Sequence, residues 1–272
     1  MPHDPFIAET VRQRIGRELK VIEREQHVRI LLAVESGSRA WRFPSPDSDY
    51  DVRFIYVHPP EVYLSLKRPR DVIERPIEDM LDINGWDIRK TLQLLVRSNA
   101  TLLEWLSSPV RYREADVLPA RLHKLAREAC HLPALTYHYD RLARHSFEDI
   151  VSSSGSLRLK TYCYAIRPAL ALLWMRRHGE PPPMDLPGLL DGIVIADAVR
   201  QAIFALVEKK ATSAEDGTTA RCPEVDAFLA GILIEMASRS TLPDRPAVLA
   251  HANALFASIV LGQRGTHGDA PE

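Results

Sequence analysis

The sequence predicts an α+β fold, with strands and helices mixed over residues 1–112, a helical region over 113–261 and a flexible tail at 262–272. Three observations carry this expectation. Two short β-branched runs, VRILLAVES and DYDVRFIYV, flank a loop containing glycine, serine and proline, the pattern of buried strands joined through a turn. Strand signals fade from about residue 117. Beyond it, apolar residues recur at three- and four-residue intervals in segment after segment, the period of helices with one buried face.

The elements follow in order. Residues 5–27 set Ile7, Val11, Ile15, Leu19 and Ile22 at helical intervals among charges, so an amphipathic helix opens the chain. The first strand runs into a glycine turn at Ser36-Gly37, and Pro44 and Pro46 mark the loop before the second. DVIERPIEDMLDI, residues 71–83, reads as extended segments around a turn. From Asn84-Gly85 onward the spacing of Ile88, Leu92 and Leu95 predicts a helix. LLEWLSS is a further helix closed by Pro109. LPARLHKLAREA, LTYHYDRLARHSFEDIV, SLRLKTYCYAIRPALALLWMRRH, GIVIADAVRQAIFALVEKK and VDAFLAGILIEMASRS all favour helices, interrupted at PPPMDLP. Trp86, Trp105 and Trp174 fall in apolar helical patterns and are expected in the core.

Composition excludes several classes. The 272 residues are 46% hydrophobic and 26% charged, with a formal net charge of −1, which is a globular balance without general attraction for polyanions. Any nucleic acid would have to be held by a local basic patch. Cys130, Cys163 and Cys222 are odd in number and widely spaced, which suits neither a disulfide framework nor a zinc site and points to the reducing cytoplasm. No apolar run follows a basic start, and the apolar stretch from Tyr164 to Met175 is broken by Arg167, so neither signal peptide nor membrane span is expected. His138 and His145 lack zinc-ligand spacing, Ser152 to Ser156 lack a GxSxG elbow, and there is no Walker A sequence.

The informative stretch is ESGSRAWRFPSPDSDYDVR, residues 35–53. Asp49 and Asp51 are one residue apart on a predicted strand, so both carboxylates project from one face and can share divalent cations. Hard oxygen ligands favour Mg²⁺ or Mn²⁺, and two such ions bridging a nucleoside triphosphate and an attacking hydroxyl would stabilise an in-line displacement. Gly37 lets the backbone approach phosphate closely, and the Ser38 hydroxyl and nearby N–H groups can donate to it. Arg39 and Arg42 lie close enough to add charge-assisted contacts.

GSRAWRFPSPDSDYDVRFIYV resembles the signature of DNA polymerase β-like nucleotidyltransferases, in which Gly-Ser precedes an acidic-hydrophobic-acidic pattern. INGWDIRKTLQLLVRSNATLLEWLSSPVRY and LKTYCYAIRPALALLWMRRHGEPPPM are similar to the bacterial RlaP-like family of an RNA repair pathway, and the likeness covers nearly the whole chain. The resemblance implies a small mixed β-sheet with flanking helices, a helical C-terminal domain, and transfer of a nucleotidyl group from a nucleoside triphosphate, with RNA as an acceptor. It also implies a third carboxylate from a later strand. Leu81-Asp82-Ile83 fits that setting better than Trp86-Asp87-Ile88, so Asp82 is the expected ligand and Asp87 the alternative, placed where it could serve the dipole of the next helix. Asp49, Asp51 and Asp82 would be catalytic and metal-binding. Lys160, Tyr164 and Arg167 share a helix face and, with Gly37, Ser38 and Arg39, are expected to bind the triphosphate in a cleft between the two regions. A basic strip of Arg39, Arg42, Arg53, Arg89, Lys90, Lys160 and Arg167 would meet RNA. Two rivals keep the same residues: a protein- or small-molecule-modifying nucleotidyltransferase, and a non-catalytic RNA- or partner-binding module. The acceptor, the base and the oligomeric state are not legible.

Overall fold

The computed structural model describes residues 7–114, 118–153, 155–234, 237–238 and 241–262. From residue 263 on, the expected tail lies outside the described residues, as do parts of the expected helix over 225–240. The chain runs α1 (Glu9–Gln26), β1 (Arg29–Glu35), α2 (Gly37–Ala40), β2 (Tyr50–Val57), α3 (Pro60–Tyr63), β3 (Val72–Glu74), β4 (Leu81–Asp87), α4 (Ile88–Val96), α5 (Ala100–Ser107) and β5 (Arg111–Glu114). Then follow α6 (Leu118–Ala129), α7 (Leu132–Ser152), β6 (Leu157–Arg158), α8 (Leu159–His178), α9 (Leu186–Gly192), α10 (Asp197–Ala211), β7 (Thr218–Thr219), α11 (Pro223–Ile232) and α12 (Pro246–Val260).

The protein is α+β, as its sequence predicts, around a mixed five-stranded sheet ordered β3-β4-β2-β1-β5. Only the β2–β4 pair is parallel; β1 is antiparallel to both β2 and β5, and β3 to β4. Alternation along the strands gives the sheet two apolar faces. Val52, Phe54 and Tyr56 point to one face and pack with Ile15, Leu19 and Ile22 of α1. Ile55 and Val57 point to the other, with Ile88, Leu92 and Leu95 of α4, Leu122 and Leu125 of α6, and Leu255 and Ile259 of α12. A second core joins α7, α8, α9, α10 and α11 around Tyr162, Ile166 and Leu170. Helices from both sides of residue 112 therefore cover the sheet, and spatial packing does not follow chain order.

The structure differs locally from the sequence expectations at four places. Asn84-Gly85 does not end a strand: β4 runs on to Asp87. A Cβ at Gly85 would lie 2.2 Å from the Phe54 ring, so this glycine clears space for the neighbouring strand. Trp86 consequently sits on a strand, not a helix, and stacks on Trp105 with ring centroids 3.9 Å apart. RYRE, which carries no apolar alternation, forms the edge strand β5 because β1 offers it an unpaired ladder. Gly192 to Ala196 precede α10 instead of belonging to it, and α12 is a helix that the sequence reading passed over.

Candidate active site

The β1–β2 corner is built so that Asp51 and Gly37 meet. Ser36 N–H donates to Asp51 O at 2.8 Å, and Gly37 adopts φ +60° at the start of α2, a conformation that suits a residue without a Cβ. A Cβ on Gly37 would stand 1.9 Å from Asp51 Oδ2. The N–H groups of Gly37 and Ser38, in the first turn of α2, have no intrahelical partner, and Ser38 is buried.

Parallel pairing then sets a second carboxylate beside the first. Asp51 stands opposite Asp82 in the β2–β4 register, and the Arg53 guanidinium joins them, 2.9 Å from Asp51 Oδ1 and 2.7 Å from Asp82 Oδ2. A further bond runs from Arg53 to the Asp82 carbonyl at 2.8 Å. Asp49, just before β2, is exposed, and its carboxylate makes no hydrogen bond or ion pair among the described residues. Burial pushes the Asp51 pKa up; Asp82 and Asp49 add to the rise while Arg53 and Lys160 oppose it. The three carboxylates therefore feel one another. On the same face, Asn84 buries an Oδ1 that has no hydrogen-bond partner.

Asp87 is held elsewhere. Five residues beyond Asp82, it is roughly 16 Å farther along the strand. It caps α4 by accepting from Arg89 N–H at 2.7 Å and from Tyr63 Oη–H at 2.6 Å. A buried carboxylate with both partners supplied by its own end of the sheet has a complete structural role.

Of the helical candidates, Lys160 and Tyr164 come to the carboxylates and Arg167 does not. Lys160 Nζ lies 5.3 Å over the Tyr164 ring and 3.1 Å from Glu215 Oε1. Burial raises the Tyr164 pKa, and the Asp51 charge raises it further. Arg167 is buried, bonded to Met184 O and Glu104 Oε1 at 2.8 Å each, with its guanidinium 4.5 Å over Trp41. Arg39 is also buried: its guanidinium donates to Ser48 O at 2.6 Å and Asp49 O at 3.2 Å and lies 3.9 Å over Tyr50. It braces the loop that carries Asp49. With Arg53 held by carboxylates, Lys90 paired to Asp71 and Arg89 at the far end of β4, the expected basic strip does not form.

Two structural supports escaped the sequence reading. Glu35, fully buried, accepts from Asp51 N–H at 2.9 Å and from the Tyr112 hydroxyl. Burial pushes its pKa up to about 8 against those bonds. Its place two residues before Gly37 was the only available signal. The second support is Glu215, in the loop between α10 and β7, which joins the helical region to the loop before Asp49. It accepts from Ser48 Oγ at 2.7 Å and from buried Lys210 Nζ at 2.8 Å, and its N–H donates to Asp47 at 2.8 Å. Burial opposes ionisation of Glu215, but bonds from Lys210, Ser48 and Lys160 outweigh it and bring its pKa down to about 2. Nothing in the sequence links positions 48 and 215.

A mixed sheet with a Gly-Ser turn packed on one strand aspartate, and a second aspartate in register beside it, is the arrangement expected of a polymerase β-like nucleotidyltransferase core. The sequence model of the RNA repair pathway DNA polymerase beta family, RlaP, matches residues 11–258, and the chain belongs to that family. It is also similar to a Bacillus subtilis (strain 168) protein named only as uncharacterized protein YcgL: the two are 46% identical over 219 residues, covering 80% of this chain and 84% of that protein. No helix among the described residues is long and apolar enough to cross a membrane.

Proposed function

We propose that this protein is a metal-dependent nucleotidyltransferase that moves a nucleoside monophosphate from a nucleoside triphosphate to a hydroxyl, breaking the α–β phosphoanhydride bond and releasing pyrophosphate, with an RNA end as the preferred acceptor. The observation that carries the reading is the contact between Gly37 and Asp51 beside the Asp51–Asp82 register. The missing side chain lets the turn that carries the Gly37 and Ser38 N–H groups pack directly against the Asp51 carboxylate, with Asp82 in register beside it. Family membership supports the reaction class, and the three free cysteines suit a reducing cytoplasm.

The donor set suits a hard divalent cation, Mg²⁺ or Mn²⁺, because Asp49, Asp51 and Asp82 offer only carboxylate oxygen. Among the described residues no three ligating side chains are close enough as placed to hold an ion; the Arg53 guanidinium bridges two of the aspartates instead. When bound, the cation would neutralise charge on the triphosphate and on the attacking oxygen. The remaining work belongs to the chain. Gly37 and Ser38 donate main-chain N–H groups to the terminal phosphates, Lys160 supplies a positive charge, and Tyr164 forms a wall on the helical side. Asp82 orients the acceptor hydroxyl and takes its proton at a carboxylate oxygen.

The test supplies each labelled ribonucleoside triphosphate with Mg²⁺ to RNA bearing an open or a blocked 3′-hydroxyl, beside pools of protein and metabolites. Label should enter open RNA and be absent from blocked RNA. Equal labelling of both RNAs would remove the RNA-end acceptor. Label found only on protein or a metabolite would favour the rival modifying enzyme, and metal-dependent nucleotide binding without transfer would favour a binding module.

A further inference from the structure

The cations that stand together lie away from the carboxylates. Between α4 and α12 a surface groove of about 440 Å³ is lined by Arg68, Arg89 and Arg97 together with Gln93, Asn253 and Phe256, and no acidic residue lines it. None of these three guanidinium groups makes an ion pair or a hydrogen bond among the described residues. Arg89 lies 5.1 Å over the Tyr63 ring and 5.2 Å over the Phe256 ring, which fixes its plane and leaves its edge donors unused. Several other arginines are paired: Arg14, Arg70, Arg75, Arg113 and Arg221 each hold a carboxylate. In a chain of net charge −1, three arginines without an ion pair in one groove that no acid lines are a local concentration of positive charge.

The lining defines the ligand. Guanidinium forks match phosphate oxygens bidentately, the Gln93 and Asn253 amides both donate and accept, and the half-buried Phe256 ring, with Arg89 over it, adds aromatic surface to the lining. Phosphates interleaved with flat apolar rings are the chemistry of a nucleic-acid strand whose bases are unpaired, since a duplex hides its ring faces. An acidic peptide could use the arginines and the amides but brings no regular alternation of phosphate and flat ring. We propose that this groove holds the backbone of single-stranded RNA, with a base against Phe256. The inference rests on the proposed RNA acceptor and names where that acceptor is gripped. Arg89 follows Asp87, at the end of β4 remote from Asp82, so the grip is separate from the chemistry.

The experiment is fluorescence anisotropy of a labelled single-stranded RNA at several salt concentrations, with the wild type, Arg68→Glu/Arg97→Glu, Phe256→Leu and Asp51→Asn. Arg68 and Arg97 are exposed, and leucine keeps most of the apolar volume at 256, so thermal melts should show all variants folded. The double charge reversal should weaken binding at least tenfold and flatten the log–log salt slope by about 1.4, at roughly 0.7 per lost phosphate contact. Phe256→Leu should weaken it about fivefold or more. Asp51→Asn should bind RNA as the wild type does. Unchanged affinity and slope in the double variant would overturn the groove, as would an acidic peptide that binds through these arginines when RNA does not. Transfer to RNA with unaltered binding in the arginine variants would sink the groove alone. Arginine-dependent RNA binding with no transfer by the wild type would sink the catalytic reading and leave the groove standing.

Discussion

Gly37→Ala tests the site with a single methyl group. The added Cβ would begin 1.9 Å from Asp51 Oδ2, more than an ångström short of ordinary van der Waals contact. Asp51 cannot withdraw cheaply, because Oδ1 is held by Arg53 and its main-chain N–H and C=O are bonded to Glu35 and Ser36. The turn must therefore shift. Alanine at φ +60° adds roughly 1–2 kcal/mol of backbone strain, so a folded variant with a lower melting temperature is expected. Displacing a reacting group by about 1 Å can cost on the order of 100-fold in rate, and nucleotide transfer should fall by at least that much. Gly16→Ala is the matched control: nothing lies within 4 Å of the added Cβ inside α1, and alanine there should stabilise by about 0.5–1 kcal/mol. The assay pairs thermal melts with labelled-nucleotide transfer under saturating triphosphate. Transfer by Gly37→Ala within a few-fold of the wild type would refute the reasoning, because the Gly37–Asp51 contact would then be unconnected with chemistry.

Three further outcomes are expected. Asp51→Asn should abolish transfer yet melt no lower than the wild type in metal-free buffer near neutral pH, since burial and the neighbouring aspartates disfavour the ionised form of this side chain; a large loss of stability would contradict this. Glu35, with a folded pKa of about 8 against an ordinary 4.5, contributes stability that is fully present below pH 4.5 and is lost as pH rises toward 8. Glu35→Gln should therefore flatten the decline in urea-unfolding free energy across that window, on the order of a few kcal/mol; an equally steep decline in the variant would count against it. Glu215→Gln leaves buried Lys210 without its counter-charge and should destabilise by roughly 2 kcal/mol or more. Lys210→Met in the same background should recover part of that, and additive losses in the two variants would remove the proposed coupling.

The local grammar of the site was open to sequence reasoning because it is written in short range. Gly37, Ser38, Asp49 and Asp51 lie within fifteen residues, from the turn after β1 to the second residue of β2, where a glycine and a short connection decide which atoms face each other. The α+β class was legible for the same reason, since buried faces impose their period on each segment. Partnerships between distant segments belonged to the tertiary structure alone. The β2–β4 register set Asp82 beside Asp51 and sent Asp87 to cap α4, although both aspartates stand between apolar neighbours in sequence. Gly85 looked like a break until the Phe54 ring beside it gave the reason for its missing side chain. Helical spacing put Lys160, Tyr164 and Arg167 on one face but could not say where that face ended; packing buried Arg167 against Glu104 and left Lys160 half exposed toward the carboxylates. Glu215 and its buried lysine partner were beyond reach, because an ion pair is made by whichever charges folding brings within a few ångströms, and neither side chain carries that information in its own neighbourhood of the chain.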